Sequence, residues 1–276
     1  MAGVSTKEIK NRIRSMEATR QITRAMEMVA ASKLRHAQAQ ALTARPYFEI
    51  LSDTISDIVA NSDPSDSPYL TPRPVKKTAF VVIAGDRGLA GGFNSNLLKL
   101  VAANMENKAV TVLPIGRKAV DFFKSRTGLL TQLYAEAEDV SVGDCFTIAK
   151  QLTKGYLQEE FDEVWVFYTK FVSVLSQTPQ MLQLLPLAPE ASPSRGDILY
   201  EPDAKTVLDT IVPEYLGGIL YGALCESRAS EQAARRSAMD AATQNADEMS
   251  DQLSLKFNQA RQSAITQEIT EIVAGS

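Results

Sequence analysis

The stretch from Thr206 to Val273 has no proline after Pro213 and no glycine between Gly222 and Gly275. Apolar residues recur there at Ala242, Ala246, Met249, Leu253, Phe257, Ala260 and Ala264, mostly in alternating steps of four and three. This heptad spacing predicts one long helix with a seam along one side. At about 1.5 Å per residue such a helix would reach roughly 100 Å, more than a compact domain of this size can cover along its length. The seam therefore needs a partner helix. Ala233, Ala234, Ala238, Ala241, Ala242 and Ala246 let that partner approach closely.

The partner lies at the other end of the chain. From Lys7 to Val59 there is no glycine and only Pro46 interrupts. Ala30, Leu34, Ala37, Ala41, Ala44, Phe48, Leu51, Ile55 and Ile58 keep a strict four-three alternation across that proline, which predicts a continuous helix bent there. Ile9, Ile13 and Met16 begin the same pattern. Arg20, Thr23 and Glu27 then occupy its register while Ile22, Met26 and Val29 carry the apolar line, so a register shift is expected near residue 20. Two terminal helices flanking an insert can cover each other as an antiparallel hairpin within one chain; self-dimerisation through both seams is the other solution.

Residues 61–74, rich in proline, serine and aspartate, read as a linker. Beyond them, strands are expected at 75–84, 109–115, 129–134, 163–174 and 177–187, and helices at 95–106, 118–124 and 142–160. Alternation of this kind predicts an α/β domain on a mainly parallel sheet. Residues 189–196 form a short loop, and Asp203 is the N-cap of the last helix. The resulting division is a first helix over 1–60, the linker, an α/β domain over 75–201 and a last helix over 202–276.

Chemistry is sparse. The glycine-rich run Gly85-Asp86-Arg87-Gly88-Leu89-Ala90-Gly91-Gly92-Phe93-Asn94 lies between a strand and a helix, where phosphate-binding loops sit. Its spacing matches neither GxGxxG nor GxxxxGK[ST], and a tight turn with close backbone packing explains the glycines. His36 has no second ligand nearby, and Cys145 and Cys225 fit neither a disulfide framework nor a CxxC motif, so a reducing compartment is expected. No apolar run approaches bilayer length. The basic start resembles a transit peptide in composition, but Glu8, Glu17 and Glu27 and an apolar repeat running past residue 50 argue against one. The net charge of −4 hides a basic first helix, with Arg12, Arg14, Arg20, Arg24, Lys33 and Arg35 among its cations. A solvated face, nucleic acid or an acidic protein partner could each explain it; no aromatic interleaving or nucleic-acid motif accompanies the charges.

Several stretches together resemble the gamma subunit of the rotary F-type ATP synthase. They are Ile22-Thr23-Arg24-Ala25-Met26-Glu27-Met28-Val29-Ala30-Ala31-Ser32-Lys33, Asp86-Arg87-Gly88-Leu89 with Gly91-Gly92, Leu199-Tyr200-Glu201-Pro202-Asp203, Ala229-Ser230-Glu231-Gln232-Ala233-Ala234-Arg235, and Asn258-Gln259-Ala260-Arg261-Gln262 through Ile265-Thr266-Gln267-Glu268-Ile269-Thr270-Glu271-Ile272.

The resemblance implies a two-helix coiled coil with an inserted Rossmann-like α/β domain, no cofactor and no catalysis of its own. It implies a central-stalk rotor turning inside a ring of alpha and beta subunits, with epsilon and the c-ring at its foot, peripheral on the cytoplasmic face of a bacterial plasma membrane. By similarity, Met26, Arg235, Arg261, Gln262, Thr266 and Glu268 meet the beta subunit, the basic belt faces acidic beta loops, and Tyr200 with Glu201 meets the c-ring or epsilon. Nucleic acid is not an expected partner, and the membrane is reached only through the complex. Ala90 stands where relatives often carry cysteine, and the 189–196 loop leaves no room for a cysteine-bearing insertion, so thiol regulation is not expected. A nucleotide-dependent enzyme using the Gly85 loop and a static coiled-coil tether are the alternatives from other classes.

Overall fold

The computed structural model describes residues 6–60, 67–106, 108–124, 128–129, 134, 136–187, 201 and 203–275. Residues 61–66 of the linker, the 189–196 loop and Tyr200 lie outside the described residues. The elements run α1 (Thr6–Ala60), β1 (Lys77–Ile83), α2 (Phe93–Met105), β2 (Ala109–Ile115), α3 (Arg117–Phe123), β3 (Gly128–Leu129), α4 (Val142–Leu157), β4 (Glu163–Phe171), β5 (Gln177–Leu185) and α5 (Ala204–Ala274). α1 continues through Pro46 and α5 through Pro213. Asp203 caps α5 as expected, accepting the Thr206 backbone N–H at 2.8 Å and its hydroxyl at 2.9 Å. Those bonds hold the Asp203 carboxyl below the usual carboxylate range, the backbone bond foremost. The chain forms two compact units, residues 32–234 and residues 1–31 with 235–276.

The larger unit is built on a five-stranded sheet of order β3-β2-β1-β4-β5. β1, β2, β3 and β4 pair in parallel, and β5 runs antiparallel to β4. β1 is apolar from Ala79 to Ile83 because the sheet is covered on both faces there. Ala79, Val81 and Ile83 face one core with α4, the first part of α5 and the end of α1. Phe80, Val82 and Ala84 face the other, with Leu97 and Val101 of α2 and Ala119 and Phe123 of α3. The Val142 helix begins on a capping box, the Ser141 hydroxyl accepting from Asp144 N while Asp144 answers to Ser141 N. Gly116, at the end of β2, has φ +92 and its backbone presses on β1: a Cβ there would stand 2.2 Å from the Ala84 carbonyl oxygen.

The smaller unit pairs the start of α1 with the end of α5. Thr23 and Thr243, both buried, share a hydroxyl hydrogen bond of 2.7 Å. Arg20 reaches Asp247 at 3.2 Å and Arg236 lies 3.9 Å from Glu27. Numbers rise on one helix as they fall on the other, so the segments are antiparallel.

These contacts overturn the expected register shift. The seam of α1 runs straight through Ile9, Ile13, Met16, Arg20, Thr23, Glu27 and Ala30, whereas Ile22 and Val29, expected in the apolar line, are 60% and 57% exposed. The α5 seam also differs by including polar residues. Met239, Thr243, Ala246, Ser250, Leu253, Phe257 and Ala260 are covered along this line, the expected Ala242 is half-buried beside it, and the expected Met249 and Ala264 are exposed. Counting only apolar side chains steps off the true line wherever a polar side chain is satisfied across the interface.

Two outcomes follow. Gly116→Ala should destabilise the chain by at least about 2 kcal/mol, since both the positive φ and the carbonyl contact oppose a side chain; thermal or urea unfolding reads this. Thr23→Val and Thr243→Val should each cost about 1 kcal/mol, and the double variant less than their sum, because the second change removes a hydroxyl that keeps only its own-helix carbonyl, Arg20 for Thr23 or Met239 for Thr243. Strict additivity would place the two hydroxyls out of contact.

Candidate partner-binding surface

In an open sheet of order 3-2-1-4, ligands bind beyond the carboxyl ends of β1 and β4, where the winding reverses. Here α5 fills that position. The Ser227 hydroxyl donates to the Ile83 carbonyl at 3.3 Å and accepts from Thr169 N at 3.5 Å, while the Ser230 hydroxyl donates to the Thr169 carbonyl at 3.0 Å. The Glu231 carboxylate lies so close over Gly85 that a Cβ at that glycine would be 2.7 Å from its Cδ. What approaches Gly85 is the end of a flexible side chain, whereas the sequence context suggested close packing of backbone.

The glycine-rich loop satisfies itself. Asn94 Oδ1 accepts from Gly85 N at 2.8 Å and Asn94 Nδ2 donates to the Arg87 carbonyl at 3.2 Å. Asp86 accepts the backbone N–H groups of Arg117, Ala137 and Glu138 at 3.1, 2.8 and 3.1 Å. Amides that could have cradled a phosphate serve a carboxylate, and an incoming anion would meet Asp86 and Glu231. This arrangement counts against the nucleotide-enzyme alternative. Among the described residues no group of His, Cys, Asp and Glu could hold a metal ion. His36 is exposed, 3.3 Å from Gln40 on its own helix.

Arg228 was not singled out by sequence reading. Its guanidinium donates to the carbonyls of Ala137, Glu138 and Val140, and Lys33 of α1 pairs with the Glu138 carboxylate. The Lys33 hydrogen bond is the main reason that carboxyl sits below its usual range. A signal was present: the long Arg228 stands among Ser227, Ala229 and Ser230, small side chains that mark a helix pressed against its support.

The residues expected to meet partners fall into separate environments. Arg12 pairs with Glu8 one turn away at 2.9 Å, Arg20 with Asp247 and Lys33 with Glu138, so half of the belt is engaged within the chain. Arg14, Arg24 and Arg35 are exposed. Ile22, Met28 and Val29 are exposed near Arg24, giving α1 a mixed apolar and basic outer face, with Met26 half-buried beside it. Arg235 is half-buried. From Arg261 to Gly275 every residue of α5 is exposed, including Gln262, Thr266 and Glu268. One edge of this segment carries Ile265, Ile269, Ile272 and Val273, the last two 72% and 69% exposed. Another is a polar groove of Gln259, Gln262, Ser263, Thr266, Gln267 and Thr270. Glu201 is exposed.

Both cysteines are buried in the larger unit. Burial pushes the Cys145 thiol up to about 12 and raises Cys225 as well. A thiolate is the reactive form. Neither thiol should therefore react with a maleimide or an aromatic disulfide at pH 8 while the chain is folded, and both should react in urea. Rapid labelling of either in the native chain would contradict this.

The chain matches the family described as ATP synthase over residues 5–276. It is 42% identical to the ATP synthase gamma chain of Alkaliphilus metalliredigens, covering 99% of this chain and 98% of that one. It is 44% identical to the ATP synthase gamma chain of Moorella thermoacetica, over 98% and 97% of the two chains. In fold it is similar to a chain of the Euglena gracilis mitochondrial ATP synthase rotor, with a TM-score of 0.65 at 19% identity over 94% of this chain and 98% of that one.

Proposed function

The chain belongs to the gamma-chain family of ATP synthases, and on that premise we propose that it is the central rotor of a rotary ATP synthase. α1 and α5 form an antiparallel coiled coil that turns inside a ring of alpha and beta subunits, and the inserted Rossmann-like domain rests with the epsilon subunit on the c-ring. Ion flow through the c-ring drives rotation, and the asymmetry of the shaft sets the beta sites into different states. Bond making and breaking belong to beta. On this reading the chain is peripheral on the cytoplasmic face of the membrane.

The observation that carries this reading is the contrast within α5. Its first half is consumed in filling the place where a doubly wound sheet would take a ligand, and its last turns, from Arg261 on, are exposed with an isoleucine edge. An apolar edge this exposed, Ile265 and Ile269 foremost, suits a partner surface. Arg235, Arg261, Gln262, Thr266 and Glu268 contact beta, and the Ile265 to Val273 edge turns in an apolar sleeve at the top of the ring. On α1, Met26 and the outward cations Arg14, Arg24 and Arg35 face acidic loops of beta; Arg12, Arg20 and Lys33 complete the belt in sequence but act first within the chain. Tyr200 and Glu201 belong to the segment that meets epsilon and the c-ring.

The test separates outward from inward cations. Arg14→Glu, Arg24→Glu and Arg35→Glu together should weaken association with an alpha–beta assembly and lower the ions pumped per ATP, without lowering the unfolding temperature of the free chain. Wild-type association should itself weaken with added salt. Met26→Lys should impair coupling more than folding, by adding a charge beside acidic loops. Salt-independent association unchanged by the three reversals would remove the acidic partner from the account.

A further inference from the structure

One short loop, residues 136–140, gathers polar bonds from four elements. α5 reaches it through Arg228, whose Nε donates to the Ala137 carbonyl at 3.1 Å and whose Nη2 donates to the Glu138 and Val140 carbonyls at 2.9 and 2.7 Å. α1 reaches it through the Lys33 to Glu138 ion pair. The loop after β1 reaches it through Asp86, which takes the Ala137 and Glu138 N–H groups at 2.8 and 3.1 Å. α3 reaches it through Arg117, 2.6 Å from Glu136. Beside these bonds the apolar contact of the two helices is made by Leu34, Ala37, Ala229 and Ala233, mostly small side chains.

The two kinds of contact resist different motions. Apolar burial is non-directional, so small smooth side chains hold two surfaces together but oppose sliding and rolling weakly. A guanidinium is a rigid planar fork, and one that serves three carbonyls at once is satisfied at a single azimuth of the helix that bears it. Rolling α5 about its axis would break all of those bonds together. The serine bonds to Ile83 and Thr169, one turn or less away on the same helix, add fixed points on a second side.

We propose that Arg228 and the 136–140 loop form the joint that fixes the angle of α5 about its own axis to the α/β domain, so that torque passes between domain and helix through this contact. Arg228 is a positioning residue here, and the role rests on the rotor reading given above. Lys33 and Glu138 make the matching tie for α1, so both helices are referred to one loop.

The experiment uses the chain assembled with an alpha–beta ring. Ala103→Cys, exposed on α2, gives one reactive thiol for a probe, since Cys145 and Cys225 are buried. With the ring held without turnover, the spread of probe angles reports torsional stiffness. Arg228→Gln and Arg228→Lys should each raise the angular variance by about two-fold or more, because neither replacement can serve the three carbonyls together, and in the complete membrane-bound complex the ions pumped per ATP should fall in parallel. Lys150→Gln, which removes the exposed pair with Glu214 at 3.5 Å between α4 and α5, should leave the variance unchanged. Ile148→Val, a core change, controls for stability. Variance equal to wild type in both Arg228 variants, or a rise that Ile148→Val reproduces at the same loss of unfolding temperature, overturns the joint. Should Arg228→Gln not fold, Arg228→Lys decides alone. A wild-type chain that assembles but whose probe never turns with ATP overturns the rotor reading itself, a result distinct from either of these.

Discussion

The seating of α5 across the ends of β1 and β4 is the contact on which the larger unit depends. Ser227 and Ser230 bond the backbone of both strands, and Glu231 closes over Gly85. A doubly wound sheet ordinarily leaves this place open for a ligand. Filling it with the chain's own helix turns a ligand-binding topology into a mounting for a helix. The polar loop around Asp86 follows the same logic, because the amides of Arg117, Ala137 and Glu138 answer to its carboxylate.

The paired segments of α1 and α5 show a different economy. Thr23 with Thr243, Arg20 with Asp247 and Glu27 with Arg236 put polar groups into a seam that apolar residues could have filled. Polar groups in a helical seam fix register, since a slip by one step leaves them without partners. The small residues Ala30 and Ala246 are buried in the same register. Such a pairing keeps one alignment where a row of leucines would tolerate several.

Much of the fold was legible because its signals are local. The β2 strand and the Asp203 cap follow from alternation and from a capping residue before Thr206, and α4 follows from the helical spacing of Cys145, Ile148, Leu152 and Tyr156 despite Gly143 and Gly155; each stands within a few residues of its expected bounds. The two long helices were likewise written in periodicity, whereas β5 was expected as a strand without its antiparallel direction, which only its pairing with β4 gives. What was not legible depended on contacts between distant residues. The seam near residue 20 was misplaced because Thr23 reads as polar until Thr243 is opposite it. Arg228 passed unnoticed because its partners are backbone carbonyls, which no side-chain pattern announces. The basic belt looked uniform in sequence, and only cross-chain geometry separates Arg20 and Lys33 from Arg14, Arg24 and Arg35. The glycines of the Gly85 loop were assigned to a tight turn and close backbone packing, and at Gly85 it is the Glu231 side chain that lies close.

The central claim is that α5 is spent inside the chain over its first half and reserved for a partner over its last turns. Hydrogen exchange measured on the free chain and on its complex with alpha and beta tests this most directly. The account predicts strong protection of amides 216–233 in both states, and fast exchange of amides 265–275 in the free chain that becomes slow in the complex. Equal protection of 265–275 in the two states would contradict it, since those turns would then be covered without a partner or left bare with one.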